Sequence, residues 1–269
     1  MDTSRPPRVL TIAGSDSGGG AGIEADLKTF TALQVFGMAS VTSITAQNTT
    51  GVYATHDLPP ELVARQIDVV VEDLGVDAAK SGMLSNVAIV EVVADRVSHH
   101  RIENYVLDPV MISESGHPLL EQDAIETLKE KLLPLALIVT PNAAECEALS
   151  GRAVTDEAGM REAARAIYDL GARHVLVKGG HIEGSEAIDV LYDGSDFEVF
   201  STPRIDTPNT HGTGCTYAAA IAAHLAKGLN IRDAVGAAKE YVTGAIRHAF
   251  DLGKGPGPLN HFWKLGASE

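Results

Sequence analysis

Cysteine is nearly absent: Cys146 and Cys215 are the only two in 269 residues. Two thiols give neither a disulfide framework nor a metal cage, and their scarcity fits a reducing compartment. Positive charge is short as well. The chain has 21 Lys and Arg against 36 Asp and Glu, a formal net charge of −15. That balance argues against nucleic acid or anionic membrane as a partner, since both need clustered cations. Any phosphate bound here must be held by a local field of helix N-termini, a few cations and a metal. No apolar run reaches membrane length, and residues 1–8 lack the apolar core of a signal peptide, so the expected location is the cytoplasm. The P-loop pattern G-x-x-x-x-G-K-[ST] is missing; Gly253-Lys254-Gly255 lacks the Ser or Thr it requires. Linkers, repeats and low-complexity tracts are missing too. One domain over 1–269 is expected, with 1–7 flexible.

What is present is a 45% hydrophobic chain of near-zero mean hydropathy, as in a soluble globular protein. Short buried strands are expected at 8–13, 41–46, 78–82, 105–110, 135–140 and 174–178. Helical spacing is expected over 23–35, 59–73, 86–97, 121–133, 157–170, 213–227 and 231–250. A helix also opens at Pro141-Asn142, and a hairpin is expected around Asp193-Gly194. Strands alternating with helices predict an α/β fold, with a mostly parallel sheet covered on both faces. Ligands in such sheets sit beyond the carboxyl ends of the strands, in the loops that follow.

The richest of these loops is Asn209-Thr-His-Gly-Thr-Gly-Cys215, which runs into an Ala-rich helix. A Gly-x-Gly turn at a helix start offers unpaired backbone N–H groups and the positive end of the dipole, suited to a phosphate. Cys215, in the first turn, is expected to have a lowered thiol pKa. The loop Gly14-Ser-Asp-Ser-Gly-Gly-Gly-Ala-Gly22 lies between a strand and a helix, and its adjacent glycines suit close backbone approach to a ligand. Gly20-x-Gly22-x-x-Ala25 matches a dinucleotide fingerprint formally, but the acidic residue about 20 positions on is missing. Asn142 and Glu145 read as a helix cap with a first-turn acid; beside a phosphate, Glu145 can hold Mg²⁺ through water. Lys178 ends a strand on the same sheet edge. His99, His100, His211 and Cys146 are assigned no metal.

Taken together, Ala13 to Lys28 (AGSDSGGGAGIEADLK), Thr45-Ala-Gln-Asn-Thr49, Lys80-Ser-Gly-Met-Leu84, Leu107-Asp-Pro-Val-Met111, Thr140-Pro-Asn-Ala-Ala-Glu145, Val177-Lys-Gly-Gly-His181 and Asn209 to Thr216 (NTHGTGCT) resemble the ribokinase-like superfamily. Within it the chain is similar to the hydroxymethylpyrimidine/phosphomethylpyrimidine kinase family of thiamin biosynthesis. The resemblance spans most of the chain in family order. It implies a three-layer αβα sandwich, a homodimer, and ATP-dependent phosphorylation of 4-amino-5-hydroxymethyl-2-methylpyrimidine to the monophosphate and then the diphosphate. It implies a pyrimidine site at Gly14, Ala21, Asp26, Gln47, Met83 and Val110, where the Gln47 amide offers both a donor and an acceptor. Around ATP and Mg²⁺ it implies Asp108, Asn142, Glu145, Lys178, Thr213 and Gly214, with Glu145 and Asp108 near the metal. His211, Gly212, Thr213 and Gly214 would form the anion hole, with Cys215 beside it and Lys178 opposite.

Sugar kinases of the superfamily carry Asp where this chain has Cys215. A phosphate monoester is largely ionised at neutral pH and needs no base, and a fixed carboxylate would repel it. A thiol is expected to be neutral in one step and a thiolate in the other. Ser113-Glu-Ser-Gly-His117 is the expected flap over the site. Three other functions fit parts of the sequence: a pyridoxal or pyridoxine kinase, a non-catalytic pyrimidine-binding module, and a nicotinamide-dependent dehydrogenase. The intact anion-hole motif argues against the second, and the missing ribose-binding acid against the third.

Overall fold

The computed structural model describes residues 5–113, 116–180 and 182–265. Part of the expected flexible start (1–4), Glu114 and Ser115 of the expected flap, and His181 of the Val177-Lys-Gly-Gly-His motif lie outside the described residues.

Among the described residues, ten strands and eight α-helices follow one another: β1 (Arg8–Ala13), α1 (Gly22–Ala32), β2 (Phe36–Val41), β3 (Ser43–Asn48), β4 (Gly51–Asp57), α2 (Pro60–Leu74), β5 (Ala78–Ser81), α3 (Val87–His99), β6 (Tyr105–Leu107), α4 (Gln122–Thr127), β7 (Ile138–Val139), α5 (Ala143–Ser150), α6 (Glu157–Tyr168), β8 (Val175–Lys178), β9 (Glu186–Tyr192), β10 (Phe197–Pro203), α7 (Thr213–Ala226) and α8 (Ile231–Arg247). The main sheet has eight strands in the order β10-β9-β8-β7-β6-β5-β1-β2. Strands β2, β1, β5, β6, β7 and β8 run parallel, and the β9–β10 hairpin closes one edge antiparallel. Strands β3 and β4 form a separate antiparallel ribbon.

Side chains alternate across a strand, so each face of the sheet gathers its own core. Leu10, Ile12, Tyr105 and Leu107 pack with Ile67 of α2, Val93 of α3, Leu149 of α5 and Ile167 of α6. Val9, Val106, Ile138 and Leu176 face Phe30 of α1, Ile221 of α7 and Val235 of α8. The result is the expected αβα sandwich. Helix α7 reads TGCTYAAAIAAHLA, and its alanines are buried without large side chains, letting the helix lie close to the sheet.

The expected elements needed correcting in several places, among them the following. One strand was expected at 41–46, but the chain leaves β2 at Val41 and turns at Thr42 into β3. Thr42 is pinned there by its N–H to the Ala13 carbonyl and its hydroxyl to the Met83 carbonyl. β4 was not anticipated. The helix expected over 121–133 ends as α at Thr127 and continues as a π-helical turn (Leu128–Leu132) and a 3₁₀ turn (Leu133–Leu135) that contains Pro134, which has no N–H to give.

Candidate active site

The carboxyl ends of three adjacent strands bring polar side chains together. Asp108 follows β6, Thr140 follows β7 and Lys178 ends β8. Asp108 Oδ1 accepts from Thr140 Oγ1 and from Lys178 Nζ, each at 2.9 Å. Its other oxygen, Oδ2, is buried and has no hydrogen-bond partner among the described residues. An unpaired buried carboxylate oxygen is costly, and in a native structure it points to something that binds there. Lys178 and Lys80 keep Asp108 ionised below its ordinary pKa, against the effect of burial.

Opposite this pair stands the start of α7. Gly212 caps the helix at φ 85°, a left-handed conformation that favours glycine. A Cβ at Gly214 would lie 3.2 Å from Lys178 Nζ and 3.8 Å from Asp108 Oδ2, so the helix N-terminus, the ammonium and the free carboxylate oxygen share one small space. Thr213 turns its hydroxyl back to the Thr210 carbonyl at 2.6 Å, bracing the turn. Asn142 and Glu145 form a capping box on α5: Glu145 N–H donates to Asn142 Oδ1 at 3.0 Å and Asn142 N–H to Glu145 Oε2 at 2.8 Å. Burial, aided by the Asp108 charge and opposed by Lys178, pushes the Glu145 carboxyl up to about 7.

The Cys215 thiol overturns an expectation. It was expected to be acidified by the helix N-terminus, yet burial pushes it up to about 11, with Asp26 and Asp108 adding to the effect. Lys80 and the Gly22 N–H work the other way and do not prevail. At neutral pH Cys215 is a neutral thiol.

Among the six residues that the resemblance implies for the pyrimidine, Gly14 packs against Met83: a Cβ there would meet Met83 Sδ at 3.0 Å. Gln47 extends from β3, its backbone tied to Ser17 Oγ in both directions and its Oε1 accepting from Thr45 Oγ1 at 3.3 Å. Ala21 immediately precedes α1, and Val110 turns back on Asp108 through a 2.8 Å N–H···O bond. Asp26 differs from the other five. The resemblance implies it at the pyrimidine site, and its carboxylate is fully buried and engaged by Thr11 Oγ1 at 2.6 Å and Lys80 Nζ at 2.9 Å. Burial would lower the Lys80 pKa, and Asp26 more than offsets this, so the two form an ion pair beneath the loop.

Sequence reasoning missed Lys80, and Asp16 as the partner of His211. It also missed a cavity of about 530 Å³ between β10 and α8, lined by Thr202, Pro203, Lys239, Thr243, Arg247 and Trp263. Asp189 joins this cavity to the Lys178 strand end: it accepts from Gly179 N–H at 3.1 Å and from Lys239 Nζ at 2.7 Å. The one available signal was Lys239, a basic residue in the middle of α8 preceded by Ala237 and Ala238.

A carboxylate, an ammonium and an open helix N-terminus meeting beyond a parallel sheet define a kinase of the α/β class. The comparisons place it more closely. The phosphomethylpyrimidine kinase family model matches residues 16–260, and the chain belongs to that family. It is 51% identical over 261 residues to the hydroxymethylpyrimidine/phosphomethylpyrimidine kinase of Streptomyces coelicolor, covering 97% of this chain and 96% of that one. It is also 51% identical over 253 residues to the thiamine biosynthesis bifunctional protein ThiED of Geobacter sulfurreducens, covering 94% of this chain and 52% of that protein. The chain thus spans about half the length of that relative. Among solved structures, the ADP complex of Bacillus subtilis pyridoxal kinase superposes with a TM-score of 0.91 at 41% identity, covering 97% of this chain and 99% of the other.

Proposed function

We propose that this protein transfers the γ-phosphoryl group of ATP to the hydroxymethyl arm of 4-amino-5-hydroxymethyl-2-methylpyrimidine, and then to the resulting monophosphate. The observation that carries this is the small space shared by Lys178 Nζ, the unpaired Asp108 Oδ2 and Gly214 at the start of α7. In this reading Lys178 and the α7 N–H groups hold the transferring phosphoryl oxygens, and pre-aimed donors of this kind stabilise charge as it develops. Gln47 reads the aminopyrimidine edge, while Met83 and Val110 supply apolar walls. The cavity between β10 and α8 is the seat we assign to the nucleotide base.

Magnesium fits the donors present. Asp108 Oδ2 is free and buried, Glu145 is nearby, and no cluster of three or more His, Cys, Asp or Glu exists among the described residues. One or two carboxylates plus nucleotide phosphates make a Mg²⁺ site, whereas an all-protein cage would need more ligands. The ion would neutralise phosphate charge; Asp108, with Glu145 through water, would hold it.

Cys215 acts as a neutral group. In a loose phosphoryl-transfer transition state the alcohol proton leaves late, passing to the transferred phosphoryl group, and no strong base is required. A neutral thiol also leaves the site open to the anionic monophosphate, which a carboxylate would repel.

The second reading, pyridoxal phosphorylation, is favoured by the near-identical fold of the pyridoxal kinase. Steady-state kinetics with the hydroxymethylpyrimidine and with pyridoxal decide between them. A higher kcat/KM for the pyrimidine supports the proposal, and turnover of pyridoxal alone refutes it. We also infer a homodimer, for which the exposed Ile44 and Tyr53 of the β3–β4 ribbon offer apolar surface. Sedimentation velocity tests that inference. The two free cysteines fit the cytoplasmic placement we infer, and no helix among the described residues is long and apolar enough to cross a membrane.

A further inference from the structure

The loop on the pyrimidine side and the phosphate-binding turn are joined by a buried pair far apart in sequence. His211 Nε2 lies 2.8 Å from Asp16 Oδ2, across 195 residues of chain. Asp16 also organises its own loop: Oδ1 accepts from Gly18 N–H at 2.8 Å, and Oδ2 from Gly20 N–H at 3.0 Å and Ala21 N–H at 2.9 Å. Its own N–H donates to Glu24 Oε2 at 2.7 Å. Burial works against its ionisation, and the bonds from His211, Ala21 and Gly18 outweigh that, holding the carboxyl below its ordinary pKa. An ionised carboxylate only accepts, so Nε2 of His211 carries the proton in this contact.

The backbones on either side of the pair touch with no space to spare. A Cβ on Gly20 would lie 2.3 Å from His211 Cδ2, and one on Gly212 would lie 1.8 Å from the Gly20 carbonyl oxygen. From the other side, the His211 N–H donates to the Gly257 carbonyl at 3.1 Å. Ala21 and Gly22, which begin the pyrimidine side, therefore have their position relative to Gly212–Cys215 set through this junction.

We propose that Asp16 and His211 are a positioning pair that holds the acceptor hydroxyl in line with the transferring phosphoryl group; this rests on the kinase reading of the site. Neither side chain is placed on the reacting atoms, and the N–H of His211, a residue expected in the anion hole, is directed to the Gly257 carbonyl. Their role is to prevent sliding of one loop against the other, since a misplacement of about 1 Å in a phosphoryl transfer costs about 100-fold in rate.

The test compares His211→Leu with His211→Gln, whose amide retains a donor for Asp16. For each, kcat, both KM values, the ADP released per pyrimidine phosphorylated, and the thermal midpoint are measured. For His211→Leu, kcat is expected to fall about 100-fold while both KM values stay within about threefold. ADP released per product is expected to rise well above parity, because the phosphate site still binds ATP and water replaces the misplaced alcohol. His211→Gln is expected to recover at least about tenfold of kcat and most of the coupling. Should the Leu variant not fold, His211→Asn, polar but too short to reach Asp16, replaces it. A Leu variant with kcat within about threefold of wild type overturns the proposal. So does a loss that tracks the folded fraction with coupling intact, since that is the signature of a purely structural contact. A wild-type protein that phosphorylates no pyrimidine overturns the kinase reading and the role of the pair with it; an active wild type with an unaffected Leu variant overturns the pair alone.

Discussion

Replacing Gly214 by Ala should separate stability from activity. Gly214 is the second residue of α7, and apart from the adjoining backbone of its own helix the only described atoms within 4 Å of an added Cβ are Lys178 Nζ at 3.2 Å and Asp108 Oδ2 at 3.8 Å. The Lys178 ammonium ends a flexible side chain and can yield by a few tenths of an ångström. Alanine is favoured over glycine in a helix by about 1 kcal/mol, so the variant should melt no lower than wild type and up to about 3 °C higher. The methyl group nevertheless stands between the helix N–H groups and Lys178, where the transferring phosphoryl group must sit. Donors need to approach that group to about 2.7–3.1 Å, and losing one such contact costs about 100- to 1,000-fold in kcat. The assay pairs a thermal melt with product quantification at saturating ATP and acceptor. An Ala variant of normal stability that keeps more than about a third of wild-type kcat would refute the placement of the phosphoryl group at this turn.

Glu145→Gln tests the buried carboxyl. Because Glu145 is raised to about 7, chiefly by burial, its stabilising proton is fully present below the unfolded pKa of about 4.3 and is lost as pH rises through 7. Gln keeps the capping acceptor without the charge, so the variant should equal wild type near pH 4 and melt a few degrees higher at pH 8; a pH-independent difference contradicts the assignment. Cys215, with its thiol pushed up to about 11, should react with iodoacetamide at a rate that climbs about tenfold per pH unit between 7 and 9, measured by mass spectrometry; a plateau below pH 8 would mean a thiolate. Cys215→Asp should retain some alcohol phosphorylation and lose the second phosphorylation, and equal loss of both contradicts the charge argument. Lys80→Met leaves the Asp26 carboxylate buried without its cation and should cost about 3–5 kcal/mol in urea unfolding, whereas Lys80→Met with Asp26→Asn should regain most of it. Equal stability of the single and double variants would show that the pair is not coupled.

The layers of this fold were legible because local signals agreed with the tertiary structure. Asn142, Asp156 and Asn230 cap α5, α6 and α8 as their types predict, and Gly171 follows the end of α6 with φ 117°. The β4 strand, GVYATHD, was not legible, since it is largely exposed and lacks the alternation that a half-buried strand shows. The edges of strands were overextended where Pro109 and Thr42 turn the chain out of the sheet. Within the site, residues of one motif were found together because the chain brings them together locally. Partnerships such as Asp16 with His211, or Lys80 with Asp26, join segments 195 and 54 residues apart, and only the folded chain shows them. The Cys215 thiol was misjudged for the same reason: the helix start was visible, while the burial and the carboxylates of Asp26 and Asp108 were not.

The most direct test of the central claim is a time course with Mg-ATP labelled at the γ-phosphate and 4-amino-5-hydroxymethyl-2-methylpyrimidine, resolving the labelled products by anion-exchange chromatography. One site serving both acceptors predicts that the monophosphate appears first and is then consumed as the diphosphate accumulates, and that Gly214→Ala abolishes both. Absence of any labelled pyrimidine, or a monophosphate that never converts, would contradict it.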